Sequence, residues 1–410
     1  MSLLSGLTPE LFSAAAWILA FGVLVSGRDI PLRLAIPVAL LKVAVPVVHF
    51  AVNPAGAFHV LDDLFYYNSA LGMMQRGYDV LTLIRDPVAL QFYLPSMTGS
   101  HVGYHLWNLA GLSIFGPYYF SPVLLNVGAT FLAGWFFIRV LRLMDFPEFY
   151  CRCALVFFLL HWDVIAWASF LNMKDVLVMT LTLGLLHQVM LALRRPSAWR
   201  IPGVALAVAP LLFLRFYAPA LVLCAALLQL ALTRRFLLAA AAAAGLFIGL
   251  YLRFPGVTHA WSHIDPLAVA GLPRFLMTPL PWNLTPGYEF LLLPSALHLL
   301  LLLPALAVIP RLWQEHPHSR LLLLYFAVAL ASYAIVPSLQ GVRQRFQVGF
   351  VLAWLQFHAL WMLLRHAALP EKRAEKRAAA SPLRSMIGST MGSTSAPPIA
   401  PPIEPNGAAR

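Results

Sequence analysis

The chain has 410 residues, of which 60% are hydrophobic and only 11% charged, and its mean hydropathy is +0.78. A soluble domain carries about a quarter of its residues as charges, so a soluble fold is excluded and a polytopic helical membrane protein is expected. The formal net charge of +12 then reports topology rather than nucleic-acid binding, because Lys and Arg gather in cytoplasmic loops of membrane proteins.

In chain order, the apolar runs predict an all-α transmembrane bundle of about eleven spans, near 11–26, 34–51, 118–138, 153–170, 176–193, 201–214, 217–232, 236–252, 289–310, 321–338 and 346–364. The first run has no basic segment before it and no clear cleavage site, so no cleavable signal peptide is expected. The sixth and seventh runs are short, with Arg215-Phe216-Tyr217-Ala218-Pro219 between them. Pro219 disfavours one continuous helix there, which points to a hairpin with its tip below the membrane surface or to a kinked helix. Cys151, Cys153 and Cys224 give neither a zinc pattern nor a disulfide signal.

Alternate loops hold the basic residues: Arg28 and Arg33; Arg139, Arg142 and Arg152; Arg194, Arg195 and Arg200; Arg234 and Arg235; Arg311 and Arg320. Arg365, Lys372, Arg373, Lys376 and Arg377 follow the last run. That face is expected to be cytoplasmic, with the N-terminus outside and the C-terminus inside. A transmembrane domain then covers about 1–366, and 367–410 reads as a disordered cytoplasmic tail rich in Ala, Pro, Ser and Gly. The opposite face has two long loops, about 52–117 and about 253–288. In the first, Leu64 to Arg76 predicts an amphipathic helix stopped by Gly77. Tyr104 to Phe115 is too short to span and fits an interfacial or re-entrant helix.

Chemistry is expected on that outer face. Asp62 and Asp63 adjoin where the second span ends, and adjacent carboxylates near lipid are costly. In one reading, one of them is a general base and the other positions an acceptor or helps hold a divalent cation. In the other, the pair caps the helix that starts near Leu64. The outer loops also hold cations that break the orientation rule: Arg76, Arg85, Lys174, Arg253, Arg274, Arg343 and Arg345, with Arg215 partly submerged. Such a set suits a phosphate group, while pairing with nearby carboxylates is the alternative. Lys174-Asp175 reads equally as a phosphate-binding unit and as a surface ion pair with Asp175 as a cap. Asp163, beside His161 and Trp162, is a weaker candidate, and neither His101–His105 nor His259–His263 makes a convincing metal site.

With Asp62-Asp63 followed by Tyr66, Tyr67 and Ala70, Asn-Met-Lys-Asp around Lys174, Arg-Phe-Tyr from Arg215 to Tyr217, Pro-Arg-Phe around Arg274, and Arg343-Gln344-Arg345, the chain resembles the GT-C superfamily of integral membrane glycosyltransferases. It is also similar to membrane proteins of bacterial polysaccharide clusters, with their Lys-Asp, Pro-Leu-Pro-Trp and Arg-x-Arg patterns. The resemblance covers about residues 50–364 as architecture. Unlike larger members of the family, the chain has no sizeable soluble outer domain after the last span. The resemblance implies an inverting transfer of a sugar from a polyprenyl-phosphate donor to a hydroxyl of a glycan, lipid or protein, on the outer side of the inner (plasma) membrane. It implies Asp62 or Asp63 as base, and Lys174, Asp175, Arg215, Tyr217, Arg274, Arg343 and Arg345 around the donor phosphate. Mg or Mn is compatible with this but not required. The alternatives are a polymerase of lipid-pyrophosphate repeat units and a transporter or flippase of an anionic lipid or solute. The charges gather on one side and no internal repeat is evident, which disfavours transport.

Overall fold

A computed structural model describes residues 6–93, 101–233, 270–336 and 341–365. The expected eighth span, the first half of the second outer loop and the tail from 367 lie outside the described residues. Among the described residues every regular element is helical. In chain order these are α1 (Pro9–Ser26), α2 (Leu32–Val52), α3 (Leu61–Gln75), α4 (Val80–Arg85), α5 (Pro87–Tyr93), α6 (Val102–Phe115), α7 (Phe120–Leu143), α8 (Glu148–Leu159) and α9 (Trp162–Ser169). There follow α10 (Asp175–Arg194), α11 (Arg200–Leu212), α12 (Tyr217–Leu232), α13 (Leu272–Met277), α14 (Leu292–Ala307), α15 (Ile309–Glu315), α16 (Arg320–Ile335) and α17 (Val342–Gln347). The last is α18 (Gly349–Arg365). The chain divides into Met1–Ala359, which holds the bundle, and Leu360–Arg410, of which only the end of α18 is described.

Among the described residues five helices are long and apolar enough to cross a membrane: α1, α2, α7, α10, and α14 with the short turn Glu289–Leu291 that leads into it. α8 and α9 make a sixth if the bent pair is one span. Helices α11, α12 and α18 are apolar but shorter. The expected hairpin at the sixth and seventh runs appears as α11 and α12 with a break at 213–216.

Burial ranks these helices. α7 and α10 are 72% and 67% buried along their apolar windows, whereas α1 and the Glu289–Ala307 helix are 39% buried. The first two therefore form the axis of the bundle, and the others present apolar side chains outward. Trp17, Leu24, Val48, Leu300 and Leu303 are all exposed. In water such surfaces would drive association, but in a bilayer they meet lipid tails at no cost. Small residues let α7 approach its neighbours closely. A Cβ on Gly134 would lie 2.8 Å from Leu159 Cδ2, and one on Gly22 of α1 would lie 2.5 Å from the Phe131 ring. Gly22→Leu is expected to lower stability by about 1–3 kcal/mol through overpacking of the α1–α7 contact, measured by thermal unfolding in detergent.

The fourth run, read as one span over 153–170, is broken. α8 stops at Leu159, α9 starts at Trp162, and their axes differ by 41°. His161 takes an extended backbone, φ −61° and ψ 130°. Each broken end is met by charge of the right sign. Lys42 of α2, fully buried, donates from Nζ to the Leu159 carbonyl at 3.0 Å, and Asp163 lies in the first turn of α9. A cation at a helix C-terminus and an anion at an N-terminus both oppose the helix dipole.

The segment expected as the first outer loop is helical where helices were expected, over α3 and α6. α3 ends at Gln75, and Gly77 has φ +84°, the left-handed conformation that lets the chain turn away. α3 packs along α6, and α4 and α5 close over them around buried Ala70, Met73, Leu83, Leu109 and Leu112. This sub-core holds the start of α3 in place at one end of the bundle, where α7 and α10 also begin.

Candidate functional site

The two adjacent acids have opposite fates. Helical geometry turns successive side chains by about 100°, so neighbours cannot share a face. Asp63 points inward and is fully buried. Its Oδ1 accepts from the Val60 N–H at 3.1 Å and its own following N–H, Leu64, at 2.8 Å. Its Oδ2 accepts from the Tyr119 hydroxyl and lies 3.2 Å from His59 Nδ1. The acceptor capacity of Asp63 is thus spent on capping α3 and tying it to the start of α7. Asp62 points outward, its side chain half-exposed, and accepts from Arg343 Nη1 at 2.6 Å. The capping reading is realised by Asp63 alone, and Asp62 is left half-exposed beside a guanidinium.

Arg343 lies on α17 and is shared. Its Nε also reaches Asp175 Oδ2 at 3.4 Å. Asp175, the first residue of α10, is fully buried. Its Oδ1 accepts from Arg215 Nη2 at 3.2 Å and from Gln347 Nε2 at 2.6 Å. Arg215 comes from the break between α11 and α12, so four separated segments meet here. Tyr217 and Tyr333 close the inner side, with hydroxyls 3.4 and 3.3 Å from Gln347 Oε1. Lys174 is 2% exposed and donates to the Tyr66 hydroxyl at 2.9 Å, with His101 Nδ1 2.8 Å away. Lys174-Asp175 is therefore no surface pair.

The charges in this cluster balance without Lys174, because two carboxylates, Asp62 and Asp175, face two guanidinium groups, Arg215 and Arg343. Lys174 is the surplus cation, and its charge is conditional. Burial, followed by the nearby Arg215, lowers its pKa from 10.5 to about 7. Near neutral pH the site thus carries between zero and one net positive charge.

The remaining expected residues fall elsewhere. Arg345 shares the short α17 with Arg343 but points into the bundle. It is 2% exposed, and its Nη2 lies 3.7 Å from Asp163 Oδ1. Arg274, on α13, is exposed and in no ion pair among the described residues. α13 packs against α17, which keeps Arg274 in the neighbourhood without a contact to the cluster. Asp163, read as a weak interfacial candidate, is buried.

Tyr66, Gln347 and Tyr333 were not among the expected site residues. Tyr66 follows Asp62 by four, so the two share one face of α3; that spacing was the available clue. Gln347 and Tyr333 offered none. A buried amide network also supports the site from behind. Asn172 Nδ2 donates to the Asp63 carbonyl at 3.2 Å and to Asn108 Oδ1 at 2.5 Å, and its Oδ1 accepts from the Tyr104 hydroxyl at 2.7 Å. Asn126 donates to the same hydroxyl at 2.9 Å. These bonds fix the segment 170–174 that presents Lys174 and Asp175.

No protein-family model matches the chain, and neither a curated protein nor a solved structure matches it. Among the described residues no three His, Cys, Asp or Glu side chains converge as metal ligands. A cavity of about 450 Å³ among Arg194, Gln229, Thr233 and His318 lies at the opposite end of α10 and α12 from the cluster. What the cluster offers is a half-exposed carboxylate held by a guanidinium that could instead bind a phosphate, with an ammonium group behind it.

Proposed function

We propose that the chain is a GT-C-like membrane glycosyltransferase of about eleven spans that takes its sugar from a polyprenyl-phosphate donor at the outer face of the inner membrane, with the N-terminus outside and the C-terminus in the cytoplasm. The observation that carries this is the division of the acidic pair: Asp63 is consumed by capping, while Asp62 stands half-exposed against Arg343.

The donor phosphate competes with Asp62 for Arg343, since both are anionic oxygen donors matched to a guanidinium. Once displaced, Asp62 is free to take the proton of an acceptor hydroxyl. The hydroxyl oxygen attacks the anomeric carbon from the face opposite the phosphate, the C–O bond to phosphate breaks, and the configuration inverts. Arg343, Lys174 and Arg215 stabilise the charge that develops on the leaving lipid phosphate. The acceptor is a glycan, lipid or protein hydroxyl, and the polymerase of lipid-pyrophosphate units uses the same cations.

One observation favours the second reading, a transporter of an anionic lipid or solute. The break between α8 and α9 places Lys42, Asp163 and Arg345 inside the bundle, as broken helices do in transporters.

The test is purified protein in lipid vesicles supplied with a polyprenyl-phosphate sugar and a hydroxyl acceptor. Sugar transfer with inversion supports the transferase; lipid movement between leaflets without transfer supports the transporter and ends the transferase proposal. Donor binding should also depend on pH. Lys174 is cationic below about pH 7 and neutral above, so affinity is expected to fall as pH rises through about 7, and Lys174→Met should flatten that profile. Stability should move the other way. Between about 7 and 10.5 the unfolded chain holds a proton on Lys174 that the folded chain lacks, so folding gains stability as pH rises through that window.

A further inference from the structure

Beneath the outer cluster, at the break between α8 and α9, lies a second set of buried polar groups that the transfer mechanism does not use. His161, Gln356, His298, Asp163, Arg345 and Lys42 come from five separate helical segments, and each is at most 6% exposed. Their hydrogen bonds run in one direction only. The Leu276 carbonyl can only accept, so His298 Nε2, 2.7 Å away, carries hydrogen. In the neutral ring His298 Nδ1 is then an acceptor, and Gln356 must turn its Nε2 toward it at 3.3 Å. That places Gln356 Oε1 2.8 Å from His161 Nε2, and because a carbonyl oxygen accepts, His161 Nε2 carries the hydrogen. The chain thereby fixes both tautomers and the amide orientation without reference to assigned hydrogens.

The last atom in the chain is His161 Nδ1. With the hydrogen on Nε2, Nδ1 presents a bare lone pair. It is buried and has no hydrogen-bond partner among the described residues. Two nearby polar atoms share that condition, Arg345 Nη1 and Asp163 Oδ1. A buried lone pair that is left without a donor is costly, and a side chain inside a membrane bundle with that property marks a functional site before a structural one. The groups facing His161 are of mixed charge: Asp163 on α9, Arg345 on α17, and Lys42 on α2, with neutral His298 and Gln356 on α14 and α18. Burial opposes a charged ring first, and Arg345 and Lys42 oppose it as well; Asp163 favours it. A bound anion would satisfy Arg345 but not Asp163 Oδ1 or a bare imidazole nitrogen, whereas a proton satisfies the imidazole directly.

We propose that this set is a proton-binding site within the bundle, with His161 Nδ1 as the acceptor. A proton from the aqueous phase forms one N–H bond at Nδ1 and converts the ring to imidazolium; no other bond forms or breaks. The chain to the Leu276 carbonyl holds the ring so that Nδ1, not Nε2, receives it, and Asp163 stabilises the resulting charge. This rests on neither the transferase nor the transporter reading.

The test is ¹⁵N solid-state NMR of the full chain in lipid bilayers, with labelled histidine and the His161 signals assigned by their loss in His161→Gln. The expected result is an Nε2–H tautomer at about pH 8 that gains a second N–H on acidification, below the ordinary histidine range because burial resists the charge. Asp163→Asn should require about tenfold more acid for the same conversion. Gln356→Leu, which alters no charge, should release the ring into a mixture of tautomers and supplies an independent assignment if His161→Gln does not fold. An Nδ1–H tautomer at about pH 8, or a His161 ring that stays neutral down to the onset of acid unfolding, would overturn the proposal.

Discussion

Asp62→Asn is expected to reduce sugar transfer by about 10²–10⁴-fold, the usual contribution of a positioned general base, while leaving the fold intact. Its side chain is half-exposed and its only ion-pair partner among the described residues is Arg343, which keeps Asp175 as a second counter-ion. Removing one partner of so exposed a pair costs at most about 1 kcal/mol. Asp63→Asn should show the reverse. The amide can still accept from Val60 and Leu64, but it turns an NH₂ toward Tyr119 where a carboxylate oxygen accepted. Losing the charged bonds at that oxygen costs about 3 kcal/mol or more, so the variant should unfold earlier and lose activity only in proportion to the folded fraction. Transfer rates and thermal unfolding measured on the same preparations separate the two. Equal losses of activity at equal stability in both variants would remove the distinction on which the mechanism depends.

The largest stability effect is expected at Asp175. It is fully buried and is the meeting point of Arg215, Arg343 and Gln347. Asp175→Asn leaves Arg215, whose side chain is 12% exposed, without its counter-ion, and breaking a buried pair from one side costs about 3–5 kcal/mol. Asp175→Leu combined with Arg215→Met should recover a substantial part of that loss, because the uncompensated charge goes with the carboxylate. A double-mutant cycle on unfolding free energy is expected to give a coupling of about 1–3 kcal/mol between the two positions. Additive effects would mean that Arg215 is held by something other than Asp175.

Much of the candidate site was legible from residue type and place. Cations on the face that should lack them, and acids at the ends of apolar runs, selected Asp62, Asp175, Lys174, Arg215 and Arg343, and the structure brings these into one neighbourhood. The same rule selected Arg345 and Arg274, which do not join. Orientation rules report only the depth of a residue in the membrane, and Arg343 and Arg345 have almost the same depth. They differ in the direction in which a two-residue helical step, about 200°, turns them, and that direction is set by how α17 docks. The bland alternative was also partly right: Arg215 and Arg343 are paired with carboxylates, so a phosphate must displace an anion to bind.

The sequence by itself determined that this is a helical protein built for a bilayer, because hydrophobic run length and charge content are local properties that a lipid solvent reads directly. It also determined the helix α3, through a run closed by Gly77. Only the tertiary structure decided which of two adjacent aspartates is available for chemistry, since that depends on Tyr119 and Arg343, which lie 56 and 281 residues away along the chain. It decided the break at His161 for the same reason. The run 153–170 is apolar enough to continue as one helix, and the charges that satisfy the broken ends include Lys42 of another helix. Burial, partner and direction are properties of contacts between distant segments, and no window of sequence contains both sides of such a contact.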